Sequence, residues 1–351
     1  MRTRVMMRRC NGLVLCLQLA CWWVLWGWLV GEVWGVEGVA NDQVKNPVMA
    51  SGADPWVVRR GESYFMCQSR RGSIWVSRFR RLRDMGTAEW VRVWTPESGT
   101  AHSRELWAPE LHYLRGRWYI YVAADDGDNS NHRMFVLEGD EEDPQRAFRL
   151  KGRLASVTDR WAIDGTVLEM PDGGLFFIWS GWEGMENVAQ HLYIARMRDP
   201  WTLRGERVRI SSPEHAWERR GEPWVNEGPQ VLWHGGRLFV IYSASGSWTD
   251  DYCLGQLSWE GGDLLAAASW SKKPQPVFSS AGNVYGPGHC SFVKSGDGKE
   301  DWMIYHSAKE RGAGWNRRVN MQRFGWTADG DPDFGVPRSS GEGMDPPSGE
   351  D

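Results

Sequence analysis

Three acidic residues stand among small or apolar neighbours at widely separated points of the chain: Asp54, Asp164 and Glu227. A carboxylate on a buried strand is costly to desolvate unless it is paired, hydrogen-bonded or protonated. Hydrolysis of a glycosidic bond uses a carboxylic acid that protonates the leaving oxygen and a carboxylate that activates water or attacks carbon. A third carboxylate nearby can raise the pKa of the acid by like-charge repulsion. The alternative is that each residue only caps a turn, as Asp before Gly or Pro often does.

The elements that must position these acids are five copies of one pattern. Each copy has a short polar or acidic turn, an apolar strand, a Gly-rich turn and an aromatic-rich strand. The second turn and strand of the copies fall at residues 61–65, 116–120, 173–177, 235–239 and 298–305. A repeat of about 55–60 residues that forms one small antiparallel sheet is typical of a β-propeller.

The sequence therefore predicts an all-β fold, a five-bladed β-propeller. The predicted blades lie at approximately residues 53–100, 106–155, 162–215, 225–280 and 287–326. Since the innermost strands of a propeller converge on a central channel, the three acids should meet at one pocket. Recurrence of an acid at equivalent blade positions favours catalysis over turn capping. The longer intervals 125–132, 181–190 and 211–226 are expected to be rim loops, where substrate contacts collect.

The two ends of the chain differ from the repeats. Arginines near the start precede the apolar stretch 13–30, so residues 1–40 read as a secretory signal peptide. The stretch approaches the length of a membrane span, and an uncleaved signal-anchor is the alternative. Residues 41–337 are predicted to form the catalytic propeller. The tail 338–351, rich in Gly, Ser, Pro and acidic residues, is predicted to be disordered.

Composition narrows the partners. The net charge of −4 gives no indication of nucleic-acid binding. Three cysteines remain after the leader, an odd number without close spacing, and we expect Cys67, Cys253 and Cys290 to be buried, unreactive thiols. We expect a monomer that contacts a membrane only through an uncleaved leader.

The ordered motifs resemble glycoside hydrolase family 43. They are, in chain order, Gly-Ala-Asp-Pro-Trp at 52–56, Leu-Trp-Ala-Pro-Glu-Leu at 106–111, Ala-Ile-Asp-Gly-Thr at 162–166, Asn-Glu-Gly-Pro at 226–229 and Gly-Pro-Gly-His at 286–289. The segment 326–335 is similar to the terminal segment of that family. The resemblance covers about residues 46–337, and the order and spacing of the short motifs make it specific.

The resemblance implies a five-bladed propeller that hydrolyses its substrate by single displacement with inversion. It assigns Asp54 as the general base and Glu227 as the general acid. Asp164 is expected to raise the pKa of Glu227 and to orient it. In an inverting enzyme the catalytic carboxyl groups lie roughly 6.5–9.5 Å apart, which leaves room for water.

His289 follows Gly288 at the start of the fifth blade. Some arabinan-degrading members of the family hold a hydrated calcium or similar cation near the channel, with such a histidine as ligand. The resemblance thus makes His289 a metal-ligand candidate, although no cofactor is expected to be required. A structural histidine, or one that hydrogen-bonds Asp54 or the sugar, is the alternative.

Aromatic and basic residues could contact a sugar. Trp56, Trp107, Trp179 and Trp182 are candidates for stacking, with core packing the default for a strand tryptophan. Trp107, beside a blade motif, and Trp182, on an expected rim loop, are the preferred pocket residues. Arg317 or Arg318 resembles a family arginine that reaches sugar hydroxyls from the last blade. Neighbouring residues of a strand point to opposite faces, so only one of the two can point inward, and alignment to Gln322 favours Arg317.

These features predict an exported, inverting glycosidase acting on an oligo- or polysaccharide. The nearest resemblance is to exo-acting α-L-arabinofuranosidases that release L-arabinose from arabinan or other plant polysaccharides. β-Xylosidase and exo-galactanase activities stay open because rim loops decide them. A propeller that binds sugars without cleaving them is the alternative of another class.

Overall fold

The computed structural model describes residues 43–350. The predicted leader, residues 1–40, lies outside the described residues. The described part of the chain forms five four-stranded antiparallel sheets and one two-stranded sheet. Its helical elements are four short 3₁₀ helices, Leu82–Asp84, Asn129–Asn131, Ala216–Glu218 and Ala267–Ser269. No helix among these residues is long and apolar enough to span a membrane.

Each blade uses four strands that are consecutive in sequence. Blade 1 contains β2 (Trp56–Arg60), β3 (Ser63–Arg70), β4 (Ser73–Phe79) and β5 (Trp90–Trp94). Blade 2 contains β6 (Arg104–Leu114), β7 (Arg117–Asp125), β8 (Arg133–Glu138) and β9 (Arg149–Leu154). Blade 3 contains β10 (Ala162–Glu169), β11 (Leu175–Gly181), β12 (His191–Asp199) and β13 (Thr202–Ser211). Blade 4 contains β14 (Asn226–His234), β15 (Arg237–Ala244), β16 (Cys253–Trp259) and β17 (Trp270–Lys272). Blade 5 contains β18 (Tyr285–Lys294), β19 (Asp301–Ala308), β20 (Arg317–Trp326) and β21 (Pro332–Asp333). The predicted five-bladed β-propeller is confirmed.

The hydrophobic core lies between neighbouring blades. Tyr121 of blade 2 and Phe177 of blade 3, for example, have ring centroids 5.4 Å apart. The ring closes where Tyr64 of blade 1 packs in one cluster with Trp302 and Ile304 of blade 5. Aromatic and β-branched residues suit this geometry because every sheet buries both of its faces. Cys67, Cys253 and Cys290 are buried free thiols, as predicted, and burial raises the pKa of each.

The innermost strands carry an irregular backbone at the point where they enter the channel. Register shifts interrupt the ladders of β6, β10, β14 and β18. Asp54, Asp164 and His289 adopt the left-handed region there, with φ of 47°, 54° and 44°. Such a backbone is strained for a residue other than glycine, and residues held this way often cluster at functional sites. A Cβ on Gly165 would lie 2.1 Å from the ring of Phe177, so the turn beside Asp164 has room only for glycine.

The end of the described chain is bound to the propeller, which differs from the disorder predicted for residues 338–351. The short strand β22 (Gly343–Met344) pairs with β1 (Val44–Lys45). Glu350 is buried, and its carboxylate accepts a hydrogen bond from the Leu82 N–H. The polar composition of the tail hid these contacts because they depend on tertiary partners in blade 1.

Candidate active site

A cavity of about 600 Å³ opens where the inner strands converge. Residues from all five blades and their connecting loops line it: Asp54, Glu105, Trp107, Asn129, Trp161, Ile163, Asp164, Asn187, Gln190, Pro223, Glu227, Ser247, Trp248, His289, Trp315 and Arg317. The three acids predicted to meet, which lie 110 and 63 positions apart along the chain, therefore share one cavity. All three expected rim loops contribute to its wall through Asn129, Asn187, Gln190 and Pro223.

His289 links two of the acids. Its Nδ1 lies 3.3 Å from Oδ1 of Asp54 and 3.9 Å from Oδ2 of Asp164. Gly228 makes this position accessible, because a Cβ there would come within 3.1 Å of the imidazole. Burial lowers the pKa of His289, but the charges of Asp54, Asp164 and Glu227 outweigh that effect and raise it above its ordinary value. An imidazolium thus lies among the carboxylates.

Asp54 is the most exposed of the three acids, with 26% of its side chain accessible. Nη1 of Arg317 lies 3.4 Å from its Oδ1. Burial alone would raise the pKa of Asp54, but the positive charge of His289, the contact with His306 and the charge of Arg317 hold it well below the usual range. Asp54 is therefore an ionised carboxylate at the mouth of the cavity.

His306 positions the backbone at Asp54. The Asp54 N–H donates to Nδ1 of His306 at 3.1 Å, and the Tyr252 ring stacks on the imidazole with centroids 5.6 Å apart. Burial and the neighbouring charge of Arg317 lower the pKa of His306 to about 3. The ring is therefore neutral, which its role as a hydrogen-bond acceptor requires.

Asp164 and Glu227 are in the opposite state from Asp54. Burial, followed by the charges of Glu227 and Asp54, raises the pKa of Asp164 to about 8, although His289 opposes the rise. Burial also raises the pKa of Glu227, against the hydrogen bond from Tyr252 and the charge of His289. The pair therefore retains a proton at neutral pH.

Hydrogen bonds fix the orientation of these two acids. The Gly228 N–H donates to Oδ2 of Asp164 at 3.1 Å. The Tyr252 hydroxyl donates to Oε1 of Glu227 at 2.8 Å. Each carboxyl group keeps its other oxygen available for a proton or a substrate, which suits a group that must donate a proton during reaction.

Of the two tryptophans predicted to contact the sugar, one lines the cavity and the other does not. Trp107 lines the cavity and stacks on the buried imidazole of His132, with centroids 4.0 Å apart. The prediction of a pocket role for Trp182 is wrong, because Trp182 is buried behind Trp161, with parallel rings 4.7 Å apart. Trp161 lines the cavity in its place.

Trp56 and Trp179 are not among the cavity-lining residues. Trp56 donates to the Leu111 carbonyl and packs on His112. Trp179 is buried between Phe177 and Tyr193 in the core of blade 3. Both follow the default of core packing for a strand tryptophan.

Sequence reasoning missed several residues of the site. Trp248, Trp315 and Tyr252 come from the loops 245–252 and 309–316, which were not among the expected rim loops. Both loops follow an inner hairpin of a blade that carries a site residue, and each places a tryptophan one or two residues after a glycine. That combination is the signal that could have identified them.

The described residues contain no group of three or more His, Cys, Asp and Glu side chains arranged to hold a metal ion. Nδ1 of His289 faces the carboxylates of Asp54 and Asp164, whose charges raise its pKa. The role of His289 as a metal ligand stays a prediction.

Comparison with known proteins agrees with the fold. The model of glycosyl hydrolases family 43 matches residues 44–332. The chain belongs to glycosyl hydrolase family 43, and the predicted resemblance is confirmed.

Relatives of this chain differ in length and in source. An extracellular exo-α-(1→5)-L-arabinofuranosidase of Streptomyces avermitilis is 37% identical, over 84% of this chain and 64% of that protein. An enzyme of the same description from Streptomyces chartreusis is 33% identical, over 79% of this chain and 88% of that protein. The crystal structure of an α-L-arabinofuranosidase from Lactobacillus brevis has a TM-score of 0.79 and 34% identity, and it covers 85% of this chain and 98% of its own. The chain spans just under two thirds of the first of these relatives.

Proposed function

We propose that this chain is an inverting glycosidase that releases L-arabinofuranose from the ends of arabinan or arabinose-containing plant polysaccharides. The observation that carries the proposal is the convergence of Asp54, Asp164 and Glu227 on one cavity, where the pKa of Asp54 is lowered and those of Asp164 and Glu227 are raised. The names of the relatives support arabinofuranose as the sugar. Their description as extracellular supports export of this chain. Anchoring of the exported chain in a membrane through an uncleaved leader is the alternative.

In the proposed mechanism Asp54 accepts a proton from water as that water attacks the anomeric carbon. Its low pKa makes it a weak base in the resting enzyme, and release of one contact to His289 or Arg317 on substrate binding would strengthen it. Glu227 donates its proton to the glycosidic oxygen as the bond breaks. A water between the base and the sugar is the arrangement that inversion requires.

Asp164 and His289 adjust the charge of the site. Asp164 shares the proton with Glu227, which keeps the acid protonated at neutral pH. The imidazolium of His289 offsets the negative charge on Asp54 and Asp164. Arg317, from the last blade, lies within reach of Asp54 and lines the cavity, where it can also donate to sugar hydroxyls.

The experiment is a substrate panel: nitrophenyl α-L-arabinofuranoside, β-D-xylopyranoside and β-D-galactopyranoside, with linear and branched arabinan and product sizes recorded. We expect turnover of the arabinofuranoside and release of monosaccharide from arabinan. Asp54→Asn should lower kcat by about 10²–10⁴-fold, the usual contribution of a general base. If the xyloside or the galactoside were the preferred substrate, the assignment of arabinofuranose as the cleaved sugar would be wrong. Binding without turnover of any of them would show a non-catalytic propeller.

A second experiment tests the role of His289. If its imidazolium supplies the positive charge, exhaustive treatment with EDTA should leave kcat and KM unchanged. A loss of activity that calcium restores would show instead that a cation belongs to the site. His289→Phe should lower activity in either case, so the chelation result decides between the two roles.

A further inference from the structure

Two rim tryptophans form an exposed aromatic wall beside the catalytic acids. Trp248 lies in the loop 245–252 of blade 4 and Trp315 in the loop 309–316 of blade 5, and both line the cavity. Their rings meet edge to face with centroids 6.2 Å apart. Trp315 is 69% exposed. Exposure of this aromatic surface to water is unfavourable, and binding of an apolar surface against it would remove that cost.

The two loops hold this wall in a fixed orientation. The Trp315 indole N–H donates to Oγ of Ser247 at 3.1 Å, and the Gly312 N–H donates to Oδ1 of Asp250 at 2.9 Å. Nη2 of Arg317 donates to the Ser247 carbonyl at 2.8 Å. These hydrogen bonds join blade 4 to blade 5, so the wall is ordered before a ligand arrives. Preorganisation of this kind lowers the entropy lost on binding.

Close backbone packing fixes the second ring. A Cβ on Gly246 would lie 2.7 Å from the Trp248 ring, and a Cβ on Gly221 would lie 3.3 Å from its Nε1. The indole therefore lies flat against two glycines, which leave it little freedom to turn away from the cavity. Trp248 is half buried, and its remaining surface adds to the wall.

The loop that carries Trp248 is attached at both ends to the strand or side chain of the acid. Ser243, which pairs with Glu227 across β14 and β15, lies two residues before the loop that carries Trp248. Tyr252, at the other end of the same loop, donates to the carboxyl group of Glu227. One end of the loop is therefore close to Glu227 through strand pairing, and the other end is bound to Glu227 by a hydrogen bond. A proton donor must face the leaving group, so this loop lies on the leaving-group side in the proposed mechanism.

We propose that Trp248 and Trp315 form the subsite for the leaving group, where the ring of the next sugar stacks its apolar face on the indoles. This inference rests on the proposed function, since it assumes that Glu227 protonates a glycosidic oxygen. The subsite selects a glycan as the leaving group over a small alcohol. Trp107 and Trp161 line the same cavity from blades 2 and 3.

The test compares two substrates with the same cleaved sugar. In α-1,5-L-arabinotriose the leaving group is a disaccharide, whereas in methyl α-L-arabinofuranoside it is methanol, which is too small to reach the wall. Trp315→Ala and Trp248→Ala should each lower kcat/KM for arabinotriose by about 10–30-fold, as expected for truncation of a tryptophan anchor. Hydrolysis of the methyl glycoside should change by less than about threefold, since no stacking is lost there. Trp315→Phe should retain most of the activity on arabinotriose.

Trp75→Ala is the matched control. Trp75 is a half-buried tryptophan on β4 of blade 1, its indole N–H donates to the Arg70 carbonyl, and it does not line the cavity. This variant should behave as wild type on both substrates. Equal losses on both substrates in Trp315→Ala and Trp248→Ala, or no loss on either, would overturn the subsite. Failure of the wild-type protein to cleave either substrate would instead overturn the proposed function, and the subsite with it, before any variant is compared.

Discussion

The fold treats two groups of buried carboxylates in opposite ways: one is Glu218, and the other is the pair Asp164 and Glu227 of the cavity. Glu218, at the end of a 3₁₀ helix, is completely buried and accepts hydrogen bonds from the backbone N–H groups of Glu214 and His215. Nζ of Lys272 lies 3.0 Å from its Oε1. Burial by itself would raise the pKa of Glu218. The hydrogen-bond donors and the charge of Lys272 outweigh that effect, so the pKa is lowered overall.

Asp164 and Glu227 of the cavity lack such compensation. Within residues 43–350 the hydrogen bond that Asp164 accepts comes from one backbone N–H, and the one that Glu227 accepts comes from one hydroxyl. The pKa of each is raised, to about 8 for Asp164. At Glu218, hydrogen bonds and the lysine charge offset the free-energy cost of burying the carboxylate. At Asp164 and Glu227 that cost is only partly offset, which favours the protonated form that catalysis uses.

The two groups are also connected. Asn226, which directly precedes Glu227, donates to Oε1 of Glu218 at 3.0 Å and accepts from the Ser211 hydroxyl at 2.7 Å. The Ser180 hydroxyl donates to the Asn226 carbonyl. The hydrogen bonds with Glu218, Ser211 and Ser180 therefore hold Asn226 at the start of the strand that carries Glu227.

The largest expected effect separates the two glutamates by function. Glu227→Gln removes the transferable proton and should lower kcat on arabinan by about 10²–10⁴-fold. Its thermal midpoint should stay at or above that of the wild type, because the substitution replaces an acid whose ionisation is opposed by burial. Steady-state kinetics and calorimetry on the same preparation measure both. Wild-type kcat in this variant would remove Glu227 from the mechanism.

Glu218→Gln should show the reverse behaviour. It leaves Lys272 without its counter-charge and should cost about 3–5 kcal/mol of unfolding free energy, as for other broken buried pairs. The amide oxygen can still accept from Asn226, so kcat at 20 °C, where the variant is folded, should stay within about threefold of the wild type, an interval typical of positions outside the reacting groups. Denaturant titration measures the first quantity. Unchanged stability would contradict the assigned difference between the two groups.

A smaller effect concerns the pH dependence of stability. Because the pKa of Asp164 is raised to about 8 in the folded protein, its contribution to stability is complete below its ordinary pKa of 3.8 and is lost as pH rises toward 8. Asp164→Asn does not titrate, so the difference in thermal midpoint, variant minus wild type, should increase from pH 5 to pH 8.

Asp54→Asn provides the control of opposite sign. The folded pKa of Asp54 is lowered, so its contribution is present above its ordinary pKa and is lost as pH falls below about 4. The variant should be less stable than the wild type at neutral pH, and this deficit should disappear in acid. The same trend for both variants would mean that the charge distribution described for the cavity is wrong.

The sequence carried most of the fold because hairpins and aromatic strands recur at a regular interval, and each predicted blade coincides with one sheet. It also carried the three acids, since each stands beside a proline or glycine among apolar neighbours. Trp182 could not be predicted correctly, because its burial depends on the stacking partner Trp161 across a loop. The aromatic wall of Trp248 and Trp315 was missed for a similar reason, as hydrogen bonds between blades orient those loops.

Electrostatics showed the same limit. The spacing of the acids indicated that one would hold another in its protonated form. It did not show that burial and the charges of Glu227 and Asp54 would raise the pKa of Asp164 to about 8. The orienting role of Asp164 toward Glu227 therefore stays a prediction.

The stereochemistry of the first product tests the central claim most directly. If Asp54 activates a water that attacks the anomeric carbon in one step, time-resolved proton NMR of arabinotriose hydrolysis should show β-L-arabinofuranose before mutarotation. Appearance of α-L-arabinofuranose first would mean a covalent intermediate and two displacements, and would contradict the roles assigned to Asp54 and Glu227.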